Sequence, residues 1–331
     1  MDLAFLGLDV SKNTVHAVLL DGERKQWLEF ANSPDGFSKL MGWLTKHATR
    51  PVHACMEATG SYSEALALFL SGKAWRVSVV NPRMMKHYAI SCGGRTKTDA
   101  YDAGVIANYC RTQEPREWRP PAPERLALRA LVRRREDLVQ MIAAEKSRAE
   151  APGVTGPTQS SIEKHVAYLE QAIEDLDAEI KALIARDPEM DGMRKLLLTI
   201  PGVGETTAVI WIAEIGDCSD FRSAREVAAY LGLTPQHHSS GTSVWRRPRM
   251  SKAGNPFVRK SLFFPALSAA SHCPHLADFR KRKLRENKRP AVIIGAVMRK
   301  LAHTIFGVLR SGMPYDPSIP LRGALTTQHS I

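Results

Sequence analysis

The chain has 331 residues, 44% hydrophobic and 24% charged, with 46 Lys+Arg against 34 Asp+Glu for a formal charge of +12. That composition excludes a disordered or fibrous chain, and the length suits two domains or one domain with a long insertion. No run approaches the roughly 18 apolar residues of a bilayer crossing, and the first five residues lack a charged, cleavable leader, so the expectation is a soluble protein with no membrane partner. Five cysteines (Cys55, Cys92, Cys110, Cys218 and Cys273) are scattered without a CxxC pair, which argues against a disulfide framework or zinc knuckle and for a reducing cytoplasm.

The positive charge is uneven. Residues 236–331 hold 17 Lys+Arg and 3 Asp+Glu, a local +14, which leaves −2 for the first 235 residues. A near-neutral body with a basic C-terminal third points to nucleic acid or an anionic membrane surface, with simple solubilisation as the plain alternative.

In chain order, residues 3–10 and 14–20 are β-type runs joined by Ser11-Lys12-Asn13, and residues 25–30 read as a third strand after an Asp21-Gly22 turn. Ser33-Pro34-Asp35 opens a helix with Phe37, Leu40, Met41 and Leu44 on one face. A buried-type strand (52–56), a helix (63–70), a strand (76–80) and helical segments near 84–90 and 99–110 complete a mixed α/β layer unit. From Pro120 the texture changes. Leu128, Leu131, Leu138 and Ile142 are heptad-spaced with Arg135 in the seam, and Ile162, Val166, Leu169, Ile173, Leu176, Ile180 and Leu183 repeat at 4, 3, 4, 3, 4, 3. Two helices of coiled-coil character, broken over 151–157, either pack on each other or pair between chains. Pro201-Gly202-Val203-Gly204 between helical stretches reads as a helix-hairpin-helix facing phosphate, or as a plain tight turn. Residues 221–230 read as a further helix.

Two constellations carry chemistry. Asp9 and Glu57 each end an apolar strand, and Asp99 and Asp102 stand three apart at the head of a helix, where both reach one side. A carboxylate ending an apolar strand is costly unless it is solvated or holds a cation. Four such oxygens would suit a pair of Mg²⁺ ions, with Mn²⁺ as a substitute, roughly 4 Å apart on a phosphodiester. Taken singly, Asp99 is a helix cap, Asp102 a partner of the helix dipole and Glu57 a solvated strand end. The second constellation is the polar loop 236–243 and the run that follows it. Arg246, Arg247, Arg249, Lys252, Arg259 and Lys260 are six basic residues with no acid among residues 246–260. A serine there either contacts phosphate through its hydroxyl, which the chemistry alone favours, or attacks phosphorus while Arg246, Arg247 or Arg249 stabilises the developing charge. His237 and His238 lack the spacing of metal ligands. Arg280, Lys281, Arg282 and Lys283 begin a stretch, 280–289, of seven basic residues and one acid, read as a nucleic-acid backbone stripe. An apolar helix over 292–309, containing Arg299, Lys300 and His303, reads mostly as core.

Gly7-Leu8-Asp9-Val10-Ser11-Lys12, Glu57-Ala58-Thr59-Gly60, Lys97-Thr98-Asp99-Ala100-Tyr101-Asp102-Ala103, Ile200-Pro201-Gly202-Val203-Gly204, the Ser240-Gly241 loop, Ser251-Lys252-Ala253-Gly254-Asn255 and the ending Arg310-Ser311-Gly312-Met313-Pro314-Tyr315-Asp316 occur in that order. As an ordered set, from about residue 3 to 316, they resemble the DEDD transposases of the insertion-sequence 110 family and the related Piv-type DNA invertases. The resemblance implies an α/β RuvC-like (RNase H fold) N-terminal domain over 1–119, a coiled-coil helical hairpin inserted over 120–188, and a mainly α-helical C-terminal transposase domain over 189–331. It maps an acidic, metal-binding tetrad to Asp9, Glu57, Asp99 and Asp102, and a nucleophilic serine to Ser240, directly before Gly241, rather than to Ser239.

It further implies a recombinase that cuts and rejoins donor and target DNA through a phosphoserine link, guided by a bridge RNA. Such an enzyme would work as a homo-oligomer, dimer or tetramer, in the bacterial cytoplasm at the nucleoid. The alternatives are a hydrolytic RuvC-like nuclease on branched DNA and a non-catalytic nucleic-acid-binding protein. A sugar-kinase-like ATPase shares the opening strand-Asp-turn, but the sequence has no second phosphate loop.

Overall fold

Strand patterning sets the first layer. The strand Ala4–Val10 (β1) pairs antiparallel with Thr14–Asp21 (β2), which pairs antiparallel with Arg24–Ala31 (β3). Val52–Glu57 (β4) is buried along nearly its whole length, as a strand covered on both faces must be, and it lies parallel between β1 and Arg76–Val80 (β5). The sheet order is β3-β2-β1-β4-β5. Parallel neighbours need crossovers. These are Pro34–His47 (α1), capped by Ser33 and burying Phe37, Leu40 and Leu44, and Ser61–Gly72 (α2). They share a core with Leu6, Leu8, Ala54 and Met56 on one face of the sheet. Pro82–Ser91 (α3) and Asp99–Gln113 (α4) follow. Their residues Met85, Val105, Ile106 and Tyr109 pack with Cys55 and Phe5 on the other face.

A computed structural model describes residues 3–93, 98–240 and 244–318, without the side chains of Ser61, 237–240 and 244–248. Two compact units divide the chain, Met1–Pro121 and Ala122–Ile331. The second, mostly helical unit starts with Pro123–Ala149 (α5) and Pro157–Arg186 (α6). The ion pairs Arg135–Asp177, Lys146–Glu170 and Glu145–His165 show that the two run antiparallel. The two helices thus pack on each other: of the heptad positions Leu128, Leu138, Leu169 and Ile180 are buried, while Ile142, Ile162, Val166, Ile173 and Leu176 are half-buried.

Pro188–Leu198 (α7), Glu205–Glu214 (α8) and Ala224–Tyr230 (α9) come next. The antiparallel strands Pro235–Ser240 (β6) and Val244–Met250 (β7) follow, then Pro256–Ser261 (α10), Phe263–His272 (α11), Pro274–Arg285 (α12) and Pro290–Ser311 (α13). Trp211, Leu197, Val227, Leu262, Leu301 and Ile305 lie in one core.

Two features differ from the sequence reading, and the turn at Pro201–Gly204 agrees with its tight-turn alternative. Of the segment expected as a polar loop, residues 236–240 lie in strand β6, held by backbone pairing rather than side-chain alternation, while 241–243, including Gly241, lie outside the described residues. The turn at Pro201–Gly204 is packed: Gly202 has φ +96°, and a Cβ there would meet Pro265 O and Ala269 N of α11 at 2.7 Å, so the glycine serves close approach of a helix. Finally, α13 is long and apolar enough to cross a membrane by length and composition, contrary to the expectation of no such run. Its Val297, Leu301 and Ile305 face are fully buried in the core of the unit.

Candidate active site

The acidic constellation is assembled by a close contact of two backbones. A Cβ on Gly7 would lie 2.1 Å from Ala103 O and 2.3 Å from Ala107 N, so only glycine lets α4 rest on β1. Asp9 is two residues further along and thus on the same face, half-buried. Glu57 bears the same relation to Cys55, whose side chain packs against α4, so it too belongs to that face. Leu8 pairs with Met56 in register, which brings Asp9 and Glu57 to the adjoining C-terminal ends of β1 and β4.

The N-terminus of α4 lies at this same end. His16 stands opposite Asp9 in the β1–β2 register, and its Nε2 is 3.3 Å from Asp99 Oδ2. The helix cap is Thr98, whose hydroxyl accepts from Tyr101 N, rather than Asp99. Asp99 and Asp102 occupy the first turn, where the helix dipole favours carboxylates. Asp99 is exposed and Asp102 half-buried.

The structure thus brings all four predicted acids to one end of one face. It does not close them into a cage: among the described residues no three His, Cys, Asp or Glu side chains stand as a ready metal site. The donor set, carboxylate oxygens only, is nonetheless the chemistry that Mg²⁺ or Mn²⁺ takes. Asp99 would exchange its imidazole partner for the ion.

The serine segment lies in the second unit. Ser239 is in register with Trp245 and Ser240 with Val244, at the distal end of the ribbon. The side chains of Ser240, Arg246 and Arg247, like those of His237 and His238, lie outside the described residues. The base of the ribbon is well defined. Ser251 N donates to Thr234 O, and Lys252 N to Gly232 O. The Arg259 guanidinium donates to Leu231 O and Lys252 O at 3.0 and 3.2 Å. Asn255 caps α10 and donates from Nδ2 to Glu214 Oε2 at 2.9 Å, and buried Glu214 is held in turn by Arg133. The Ser-Lys-Ala-Gly-Asn motif is therefore the footing of the ribbon.

Of the other basic residues singled out, Arg249 is exposed. Lys260 is paired with Glu136 of α5, Lys281 lies 3.8 Å from Asp278, and Lys283 is bonded to Glu286. Arg280 and Arg282 are exposed on α12. Arg282, Lys283 and Lys300 gather around the Phe279 ring, at 5.5, 5.8 and 4.8 Å from its centroid. Sequence reasoning missed Arg222, Arg225, Arg299, Lys300 and His303, which share a cavity with Arg249 and Lys252. The available signal was the spacing of Arg299 and His303, one helical turn apart on an otherwise apolar helix.

Comparison with known proteins gives the class. A family model described as "Transposase" matches residues 6–151, and one described as "Transposase IS116/IS110/IS902 family" matches residues 194–281. A carboxylate-bearing α/β unit and a basic helical unit with these matches define a DNA-recombining enzyme. The chain is 35% identical over 322 residues to the pilin gene-inverting protein of Moraxella bovis, covering 96% of this chain and 99% of that one. It matches the pilin gene-inverting protein of Moraxella lacunata equally well. It is 26% identical over 356 residues to a probable family 20 transposase of Pseudomonas aeruginosa, covering 96% and 100%. The chain belongs to the IS110 family of transposases and DNA invertases, and its substrate is DNA.

Proposed function

We propose that the protein cuts and rejoins DNA strands through a covalent link to Ser240, assisted by an acidic metal site of Asp9, Glu57, Asp99 and Asp102 in a RuvC-like unit. The single observation that carries the reading is the convergence of the two strand-end acids and the first turn of α4 at one end of the sheet. The strand order β3-β2-β1-β4-β5 supports the RNase H-type assignment.

In the first step the Ser240 Oγ attacks phosphorus. An Oγ–P bond forms, the bond from phosphorus to one sugar oxygen breaks, and the serine proton ends on the departing hydroxyl. In the second step the hydroxyl of another strand attacks the same phosphorus, restores a phosphodiester and returns the proton to serine. Bond energy is conserved, so no nucleotide cofactor is consumed. Mg²⁺ held by the four carboxylates would neutralise charge on the phosphate. The chain's own acids orient that site, and Arg246 or Arg247 stabilises the charge developing on phosphorus, since Arg249 stands opposite Gln236 at the footing of the ribbon.

The bridge RNA, the pairing of donor and target DNA, and a homo-oligomer that unites several such centres in the bacterial cytoplasm belong to the same reading. The helical hairpin would offer its outer face for assembly.

Ser240→Ala is expected to abolish the denaturant-resistant protein–DNA adduct while Ser239→Ala retains it. An adduct formed by Ser240→Ala overturns the assignment. Free ends without any adduct in the wild type would establish hydrolysis instead.

A further inference from the structure

In the helical unit, α9, α12, α13 and the footing of the ribbon enclose an open cavity of about 1620 Å³. Its walls carry Arg222, Arg225, Arg249, Lys252, Arg299 and Lys300, and Asp316 is the one acid among the lining residues. Nearby cations of α12 have acids of their own, Lys281 with Asp278 and Lys283 with Glu286, but none of the six wall cations is in an ion pair among the described residues.

The crowding is costly. Burial, with Arg282, Arg299 and Lys283 nearby, holds the Lys300 ammonium below the usual lysine range. Burial, with Arg299, Lys300 and Arg225 nearby, pushes His303 down to about 4. The His303 Nε2 is buried without a hydrogen-bond partner among the described residues. Six like charges gathered with a single carboxylate in the lining are maintained where an anion repays them.

Size and lining narrow the ligand. The cavity exceeds the roughly 300–1,000 Å³ of small-molecule sites, which favours a polymer segment over a free metabolite. Most of its lining is apolar, and Val292 and Met313 are 57% and 63% exposed there, beside Phe279 and Phe306. A duplex hides its base faces and offers such a floor nothing, whereas an unpaired strand presents phosphates and bare bases together.

We propose that this cavity binds an unpaired DNA strand, with phosphates on Arg225, Arg249, Lys252 and Arg299 and base faces on the floor around Val292 and Phe279. The proposal rests on the recombination reading only in taking DNA as the polymer.

The test uses the full chain in EDTA, so that strand cleavage plays no part. Anisotropy is measured with a short labelled oligothymidylate, a duplex and an oligouridylate of equal length. Arg225→Gln combined with Arg299→Gln is expected to weaken oligothymidylate binding at least about tenfold and to lower its log–log salt slope by about 1.4, two contacts at about 0.7 each. Duplex binding should change less than about twofold. Arg225→Gln alone, at an exposed side chain that leaves the fold intact, should give part of the loss. Unchanged oligothymidylate binding, an equal loss for duplex, or tighter binding of oligouridylate would each overturn the proposal. The adduct assay on wild-type protein reports separately on the recombination reading.

Discussion

Charge is held in opposite ways in the two units. In the sheet unit the important charges are acids placed by backbone: two end parallel strands, two sit in the first turn of a helix, and a glycine sets the distance between strand and helix. In the helical unit they are cations placed by packing. Lys300 lies over an aromatic ring, Arg259 on two carbonyls, and the cavity cations come from α9, β7, α13 and the segments beside them. On the proposed function the first arrangement serves chemistry on one phosphate, and on the further proposal the second holds a strand.

The sharpest way to test that division is to remove one acid. Asp9→Asn is expected to lower strand cleavage by at least about 10²-fold, with oligothymidylate binding in EDTA within about twofold of wild type. A matching loss of binding would show that the units do not divide the labour.

Gly7→Val should act next most strongly. Its side chain would collide with α4 backbone, and it is expected to cost about 2 kcal/mol or more, read as a several-degree fall in Tm, with cleavage lost as α4 is displaced. A stable, active Gly7→Val protein would mean that α4 does not fix the acids.

The smallest effect concerns pH. In the unfolded chain His303 titrates near its ordinary value of about 6.5, but in the folded unit it does so at about 4 because of burial and neighbouring cations. Between these values the unfolded state binds a proton that the folded state refuses, so stability falls as pH drops through that window. Tm is expected to decrease from about pH 7 to about pH 5, and less steeply in His303→Gln. Equal slopes would remove His303 from the cation-crowded wall.

Much of the sheet unit was legible because its signals are local. Ser33-Pro34 and the buried run of β4 act within a few residues, and Asp9, Glu57, Asp99 and Asp102 could be read as strand-end and helix-head acids before any fold was known, although the cap of α4 is Thr98 and not Asp99. The shared face could not be read, since it depends on Gly7 meeting Ala103 about a hundred residues away in sequence. The β6–β7 ribbon escaped notice because Gln236-His237-His238-Ser239-Ser240 has no apolar alternation and its footing is built from Leu231, Lys252 and Arg259. The cavity was hidden for a related reason. Arg225 and Arg299 come from distant segments, and the apolar neighbours of Arg299 and Lys300 made α13 look like uninterrupted core.

The ribbon also has a mechanical meaning. From its braced footing at Pro235 to Ser240 there are five strand steps, about 16 Å at the usual rise. A tilt of about 5° at the Arg259 brace would swing the serine backbone by about 1.5 Å, comparable to the misplacement that costs an enzyme about a hundredfold in rate. On the proposed function, the guanidinium that grips two carbonyls at the base would thus be an aiming device for the backbone that carries the serine.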